Sequence, residues 1–91
     1  MKHHTLKCDP APFKAAEMEW KAFEIRFNDR NFQHEDTITL EETVFSGEQM
    51  KSDPLKFPLE YTGRHLFRTV TYILRGPIHG LAEGWVVMSI T

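Results

Sequence analysis

The densest group of chemically capable side chains lies in ten consecutive residues, Lys21-Ala22-Phe23-Glu24-Ile25-Arg26-Phe27-Asn28-Asp29-Arg30. Phe23, Ile25 and Phe27 alternate with Glu24, Arg26 and Asn28. This period of two belongs to a strand, so one face carries a carboxylate, a guanidinium and an amide together. Lys21 stands just before the strand, and Asp29 and Arg30 follow in a turn-forming Asn28-Asp29-Arg30-Asn31 cluster. A guanidinium reads phosphate or carboxylate with two parallel hydrogen bonds. A carboxylate beside a lysine shuttles a proton when burial brings their pKa values together. The set points to a phosphate-bearing or nucleotide-like ligand, with Lys21 and Glu24 as the catalytic pair if the protein is an enzyme. The plainer reading is a solvated strand face with Glu24–Arg26 or Asp29–Arg30 ion pairs, which contribute little.

Two further residues join the candidate ligand set. Tyr72 is an aromatic beside polar residues and suits base stacking, as does Trp20. His79 sits in the glycine-bracketed Gly76-Pro77-Ile78-His79-Gly80 segment, where backbone can approach a ligand closely. Phe23, Phe27, Phe67 and Trp85 alternate on strands and are expected in the core. His34 and His65 are expected at the surface, and His3 and His4 face opposite ways on a strand. No metal or cofactor site is expected. The single cysteine, Cys8, excludes an internal disulfide and a Cys-based zinc cage, and reads as a small buried hydrophobe. No phosphate-cradling glycine loop and no Ser/His/Asp arrangement occurs.

These residues need elements to hold them. His3–Cys8 alternates as a first strand. Asp9-Pro10 reads as a helix start, with the Asp9 side chain capping the first turn and the helix ending near Trp20. The strand at 22–28 follows, then a strand from Thr37 to about Phe45. Ser46 to Gly63 is irregular and reads as a long functional or mobile loop. Thr62-Gly63 reads as a turn before a strand from Leu66 to Leu74. Gly80 and Gly84 bracket a tight segment with room for one helical turn. Trp85–Ile90 is a last strand, expected to be buried on both faces. The fold class expected is α+β, mostly β: a small antiparallel or mixed barrel of five to six strands with one early helix and a possible second helical turn.

The chain has 91 residues, which is one domain's worth, spanning 1–91. Net charge is −2, so nucleic-acid binding through bulk positive charge is not expected. The charge is uneven, however: residues 35–60 hold two bases and seven acids, while both flanks are mildly basic. The acidic segment is a candidate surface for a protein partner. No apolar run approaches a membrane span, and no apolar stretch follows Met1-Lys2-His3-His4 as in a signal peptide, so a cytoplasmic setting without membrane contact is expected.

Through Phe23-Glu24-Ile25-Arg26 and Asn28-Asp29-Arg30 the sequence resembles the ASCH domain of the PUA-like superfamily, in a small branch found in bacteria and their phages. The likeness extends to Asp36, Thr62-Gly63-Arg64, Thr71-Tyr72-Ile73-Leu74 and Gly80-Leu81 through Gly84-Trp85-Val86-Val87-Met88-Ser89-Ile90. It implies a β-barrel with a cleft lined by the Lys21–Arg26 segment and a ligand that is RNA or a modified nucleoside. One group of that family is an amidohydrolase acting on N4-acetylcytidine with a lysine, a threonine and a glutamate. Lys21 stands at the position of that lysine, and Glu24 at that of the threonine. Three functions follow as expectations. The first is an RNA- or nucleotide-binding module using Lys21, Glu24, Arg26, Asn28, Asp29, Arg30, Tyr72 and His79. The second is an amidohydrolase-like enzyme using Lys21 and Glu24. The third is a protein-interaction module using the acidic segment.

Overall fold

A computed structural model describes residues 1–91. The elements are β1 (His3–Cys8), α1 (Pro10–Glu17), β2 (Phe23–Phe27), β3 (Thr37–Thr43), α2 (Gly47–Ser52), β4 (Tyr61–Arg75) and β5 (Trp85–Ile90). The fold is mostly β, a five-stranded sheet in the order β1-β3-β4-β5-β2. β5 runs antiparallel to both β2 and β4. His3 meets Thr37, and Cys8 meets Thr43, so β1 and β3 run the same way and the sheet is mixed. This is the fold class the alternation predicts.

Several boundaries differ from the sequence reading. The early helix stops at Glu17, and Glu19 then takes a left-handed backbone (φ 61°) that breaks the helix. Asp9 does not cap α1; its Oδ1 accepts from the Gly47 backbone N–H at 3.0 Å. Pro10 occupies the first helical turn, where its missing N–H costs nothing. The second helix is not at Gly80–Gly84, where Ile78 and Leu81 form an isolated bridge. It lies inside the expected loop. Ser46 Oγ accepts from the Gln49 N–H, and the Gln49 side chain accepts from the Ser46 N–H, a reciprocal cap that starts α2. β4 begins at Tyr61, so Thr62-Gly63 lies within the strand.

The chain divides into two compact units. The first comprises Met1–His4, Ala22–Ile38 and Arg68–Thr91. Its buried apolar residues are Phe32, Ile38, Val70, Val86, Met88 and Ile90. His4 and Asp36 are buried among them, 5% and 1% exposed. The His4 Nε2–H donates to Asp36 Oδ2 at 2.8 Å, and its ring packs 4.6 Å from that of Phe32. Asp36 also accepts from the Lys2 and Gln33 backbone N–H groups, each at 2.9 Å. Burial alone would raise the Asp36 carboxyl. The His4 hydrogen bond, the two backbone donors and the His4 charge outweigh it and lower the pKa from 3.8 to about 2.

The second unit comprises Thr5–Lys21 and Thr39–Phe67. Leu6, Cys8, Phe13, Ala16 and Leu40 are its buried apolar residues. Arg64 lies 5.2 Å over the Phe13 ring, pairs with Glu17, and approaches Glu42 at 3.6 Å. The hydrogen bond from Arg64 holds the Glu17 carboxyl below its ordinary value. Glu42 is buried and accepts from Thr62 Oγ1 at 2.8 Å. Of the seven carboxylates in residues 35–60, Asp36 and Glu42 are thus internal.

Candidate functional site

The 21–30 segment divides by the alternation of β2, and the polar side is the inward one. Glu24 is 4% exposed, and the strand register sets it opposite Met88 and Arg26 opposite Val86, both buried. Arg26 donates to Glu24 Oε1 from Nη2 at 2.8 Å and from Nε at 3.3 Å. Glu24 is buried and Arg26 half-buried, so taking the guanidinium away would leave the buried Glu24 carboxylate without this charge partner. Asn28 spends its side-chain oxygen on the Phe32 backbone N–H at 2.8 Å, which shapes the turn leading to Asp36. Asp29 and Arg30 are exposed in that turn. Lys21 belongs to the second unit and is half-buried just beyond α1. His79 is exposed in a turn with φ 48°.

The aromatics expected in the core lie outside it. Phe23, Phe27, Phe67 and Trp85 are 42%, 54%, 60% and 40% exposed. Trp85 lies 6.0 Å from Phe27 in an edge-to-face contact, and the β5 face bearing Trp85 and Ser89 is exposed, so β5 is buried on one face alone. Alternation separates two faces but does not say which turns inward. Here Val86, Met88 and Ile90 fill the interior, and pairing with β5 carries Glu24 and Arg26 in with them. Trp20 and Tyr72, the stacking candidates, are both open, 72% and 65% exposed.

Tyr72 also lines a pocket of about 330 Å³ in the first unit, together with Gln33, His34, Thr71, Ile73 and Arg75. A register shift between Val70 and Tyr72 makes this possible. Val70 is fully buried, yet Thr71 and Tyr72 are both exposed, because the extra residue interrupts the alternation and aims two side chains outward. Arg75 is anchored by an Nη2 hydrogen bond to the Phe32 carbonyl at 3.2 Å, which fixes the guanidinium beside the 32–34 turn. That turn is held in its own right: Gln33 N–H donates to Asp36, and Val70 C=O accepts from Glu35 N–H at 2.8 Å. The His4–Asp36 pair is thus tied to the pocket residue Gln33 through its backbone N–H.

The pocket offers an aromatic face, a guanidinium, an imidazole, an amide and a hydroxyl. Of the residues singled out from sequence, it takes Tyr72 alone. Gln33, His34, Thr71, Ile73 and Arg75 were not legible as a group, because some forty residues separate the turn from the strand. No helix is long and apolar enough to cross a membrane.

No curated protein matches the chain. A family model described as a domain of unknown function, DUF3850, matches residues 3–90, which takes in β1 through β5 and every pocket residue. The chain belongs to the DUF3850 family.

Proposed function

We propose that this protein is a binding module for RNA or a nucleotide-like ligand, and that the base is taken at the pocket formed by Gln33, His34, Thr71, Tyr72, Ile73 and Arg75. The observation that carries the reading is an exposed tyrosine ring beside an anchored arginine in one pocket. A base stacks on an aromatic face with little sequence preference. A guanidinium supplies the charged fork that a phosphate accepts. Gln33 and His34 provide donors and acceptors for a base edge, and Thr71 a hydroxyl.

The size suits a nucleoside or a few nucleotides of single strand, since 330 Å³ is at the small end of ligand pockets. The first unit carries five bases and five acids, which also favours a short ligand over a long duplex. The resemblance to ASCH and PUA-like domains supports the same ligand class. Within this reading Glu24 and Arg26 shape the inner side of β2, while Arg30 lies near enough in sequence to the 32–34 turn to add a phosphate contact.

The test is fluorescence-anisotropy titration with a short labelled single-stranded RNA at low salt, comparing wild type with Tyr72→Ala and Arg75→Ala. Each variant is expected to weaken binding by about ten-fold or more, as loss of a stacked base contact does. Wild-type binding that neither substitution weakens refutes the site, and no binding refutes the RNA reading.

A further inference from the structure

One side of β4 loses its neighbour before the strand ends. Up to Val70 the neighbour is the chain entering β3: the Val70 N–H donates to the Asp36 carbonyl, and the Val70 carbonyl accepts from the Glu35 N–H, both at 2.8 Å. Beyond Val70 that chain folds back on itself. The Gln33 N–H is taken by Asp36 Oδ2 at 2.9 Å, and the Gln33 carbonyl by the Asp36 N–H at 3.2 Å. On the other side, pairing with β5 continues to Arg75. The Gly76 N–H donates to the Trp85 carbonyl at 2.9 Å, so the pairs that exchange hydrogen bonds are Gly76 with Trp85 and, two residues back in the same register, Leu74 with Val87. Ile73 and Arg75 alternate with these residues. Their backbone N–H and C=O groups therefore point away from β5, on the side where Gln33 and His34 complete the pocket. The bulge creates this arrangement. Thr69 exchanges both its bonds with Thr91, and an unbroken ladder would turn Ile73 toward β5 as well; the shift between Val70 and Tyr72 turns it outward.

We propose that the Ile73 backbone N–H and C=O read the Watson–Crick edge of the bound base, so that the pocket selects an unpaired base with that edge unblocked; this rests on the nucleotide reading above and adds what the site selects. Every base carries an acceptor next to a donor on that edge, and one residue at an open strand edge presents the complementary donor and acceptor. The neighbouring groups suit the same ligand. Tyr72, the preceding residue, offers the stacking face. Arg75 lies two residues on, about 7 Å along the strand, with its guanidinium held at the Phe32 carbonyl. A base whose edge is blocked or already paired would cover the Ile73 groups without bonding them, and leaving such groups dry and unpaired is costly. A peptide strand is the other ligand an open edge can take, but it needs a run of backbone pairs. The open stretch offers Ile73 and Arg75 alone before β4 ends and Gly76-Pro77 follows, which suits a single base better than an added strand.

The test uses the full chain with a short oligouridine at low salt, and reads amide hydrogen exchange by NMR beside affinity. In the free protein the Ile73 amide is expected to exchange fast and that of Leu74, bonded to β5, slowly. Saturating oligouridine is expected to slow Ile73 by about ten-fold or more and to leave Leu74 unchanged. The same RNA built from N3-methyluridine keeps its rings and phosphates but blocks the edge, and is expected to bind about ten-fold or more weakly. RNA built from 5-methyluridine carries its methyl off that edge and is expected to bind within about three-fold of the unmodified chain. If oligouridine binds while the Ile73 amide exchanges as in the free protein, or if the N3-methylated RNA binds equally well, this inference is overturned and the nucleotide reading stands. An Ile73 amide as slow as that of Leu74 in the free protein also overturns it. If none of the RNAs binds, both fall, and an extended peptide becomes the ligand to try at this edge.

Discussion

Asp36→Asn is the substitution whose cost the structure sets out most fully. The carboxylate accepts three hydrogen bonds: Lys2 N–H on Oδ1, and Gln33 N–H and His4 Nε2–H on Oδ2. An amide has one acceptor oxygen, so in either orientation its NH2 group faces at least one N–H donor inside the fold. Losing a charge-assisted bond and burying an unsatisfied donor costs about 2–3 kcal/mol. The pH dependence gives a second magnitude for the same three contacts. The folded carboxyl titrates near 2 against an ordinary 3.8. At about 1.4 kcal/mol per pH unit, that difference contributes about 2.5 kcal/mol of stability. The folded value is depressed, so the contribution is complete above the unfolded value. It is lost as acidification carries the solution from about pH 4 through about pH 2. The assay is urea unfolding followed by circular dichroism, wild type against Asp36→Asn, at a series of pH values. At neutral pH the variant is expected to be less stable by at least 2 kcal/mol or so, and the gap is expected to narrow to under about 1 kcal/mol near pH 2. A neutral-pH gap below about 0.5 kcal/mol, or one that stays constant down to pH 2, refutes the reasoning.

Other perturbations have equally definite outcomes. Gly84 has φ 83°, and a Cβ there would stand 2.8 Å from the Phe27 ring, so Gly84→Ala is expected to lower the melting temperature through a loss of about 1–3 kcal/mol. At Gly76 a Cβ would meet the Ala82 carbonyl oxygen at 2.0 Å, backbone that cannot rotate away, and Gly76→Ala is expected to be the costlier of the two in the same melt. Ser46→Ala removes the reciprocal cap of α2 and is expected to cost about 1 kcal/mol, read as faster amide exchange in residues 47–52 before any global unfolding. Tyr72→Phe keeps the ring and is expected to hold RNA affinity within about three-fold of wild type, whereas Tyr72→Ala is not.

What the sequence reveals and what it hides follow from the range of each signal. Period-two runs locate β1, β2 and β3 to within two residues or so, because alternation is local, and the apolar run at Trp85–Ile90 locates β5. The helix at 10–17 is legible from Asp9-Pro10 and the Phe13 and Ala16 spacing. The helix at 47–52 was also written locally, in Ser46 and Gln49, but no amphipathic stripe follows it, and none of its residues is buried. The side of β2 that turns inward is not a local property. It depends on the pairing with β5 some sixty residues later, and the alternation of β2 is compatible with either choice. For that reason the sequence identifies Glu24, Arg26 and Asn28 as sharing a face, yet places the aromatics of the opposite face in a core they do not occupy. His4 carried an unread signal: it shares a strand face with Leu6 and Cys8, and a histidine held inside needs a partner. That partner, Asp36, lies on another strand's approach and is invisible to spacing. The pocket is hidden for the same reason, since its two walls are joined only by tertiary structure and by a bulge that no residue type announces.

The proposed nucleotide-like ligand at the Tyr72–Arg75 pocket is tested by amide NMR titration of the labelled protein with a short single-stranded RNA and, in parallel, with free nucleosides. Saturable shifts are expected on Gln33, His34, Thr71, Tyr72, Ile73 and Arg75, with the RNA binding more tightly than the nucleosides because it also brings phosphate to Arg75. Shifts confined to other residues, or none with either ligand, contradict it.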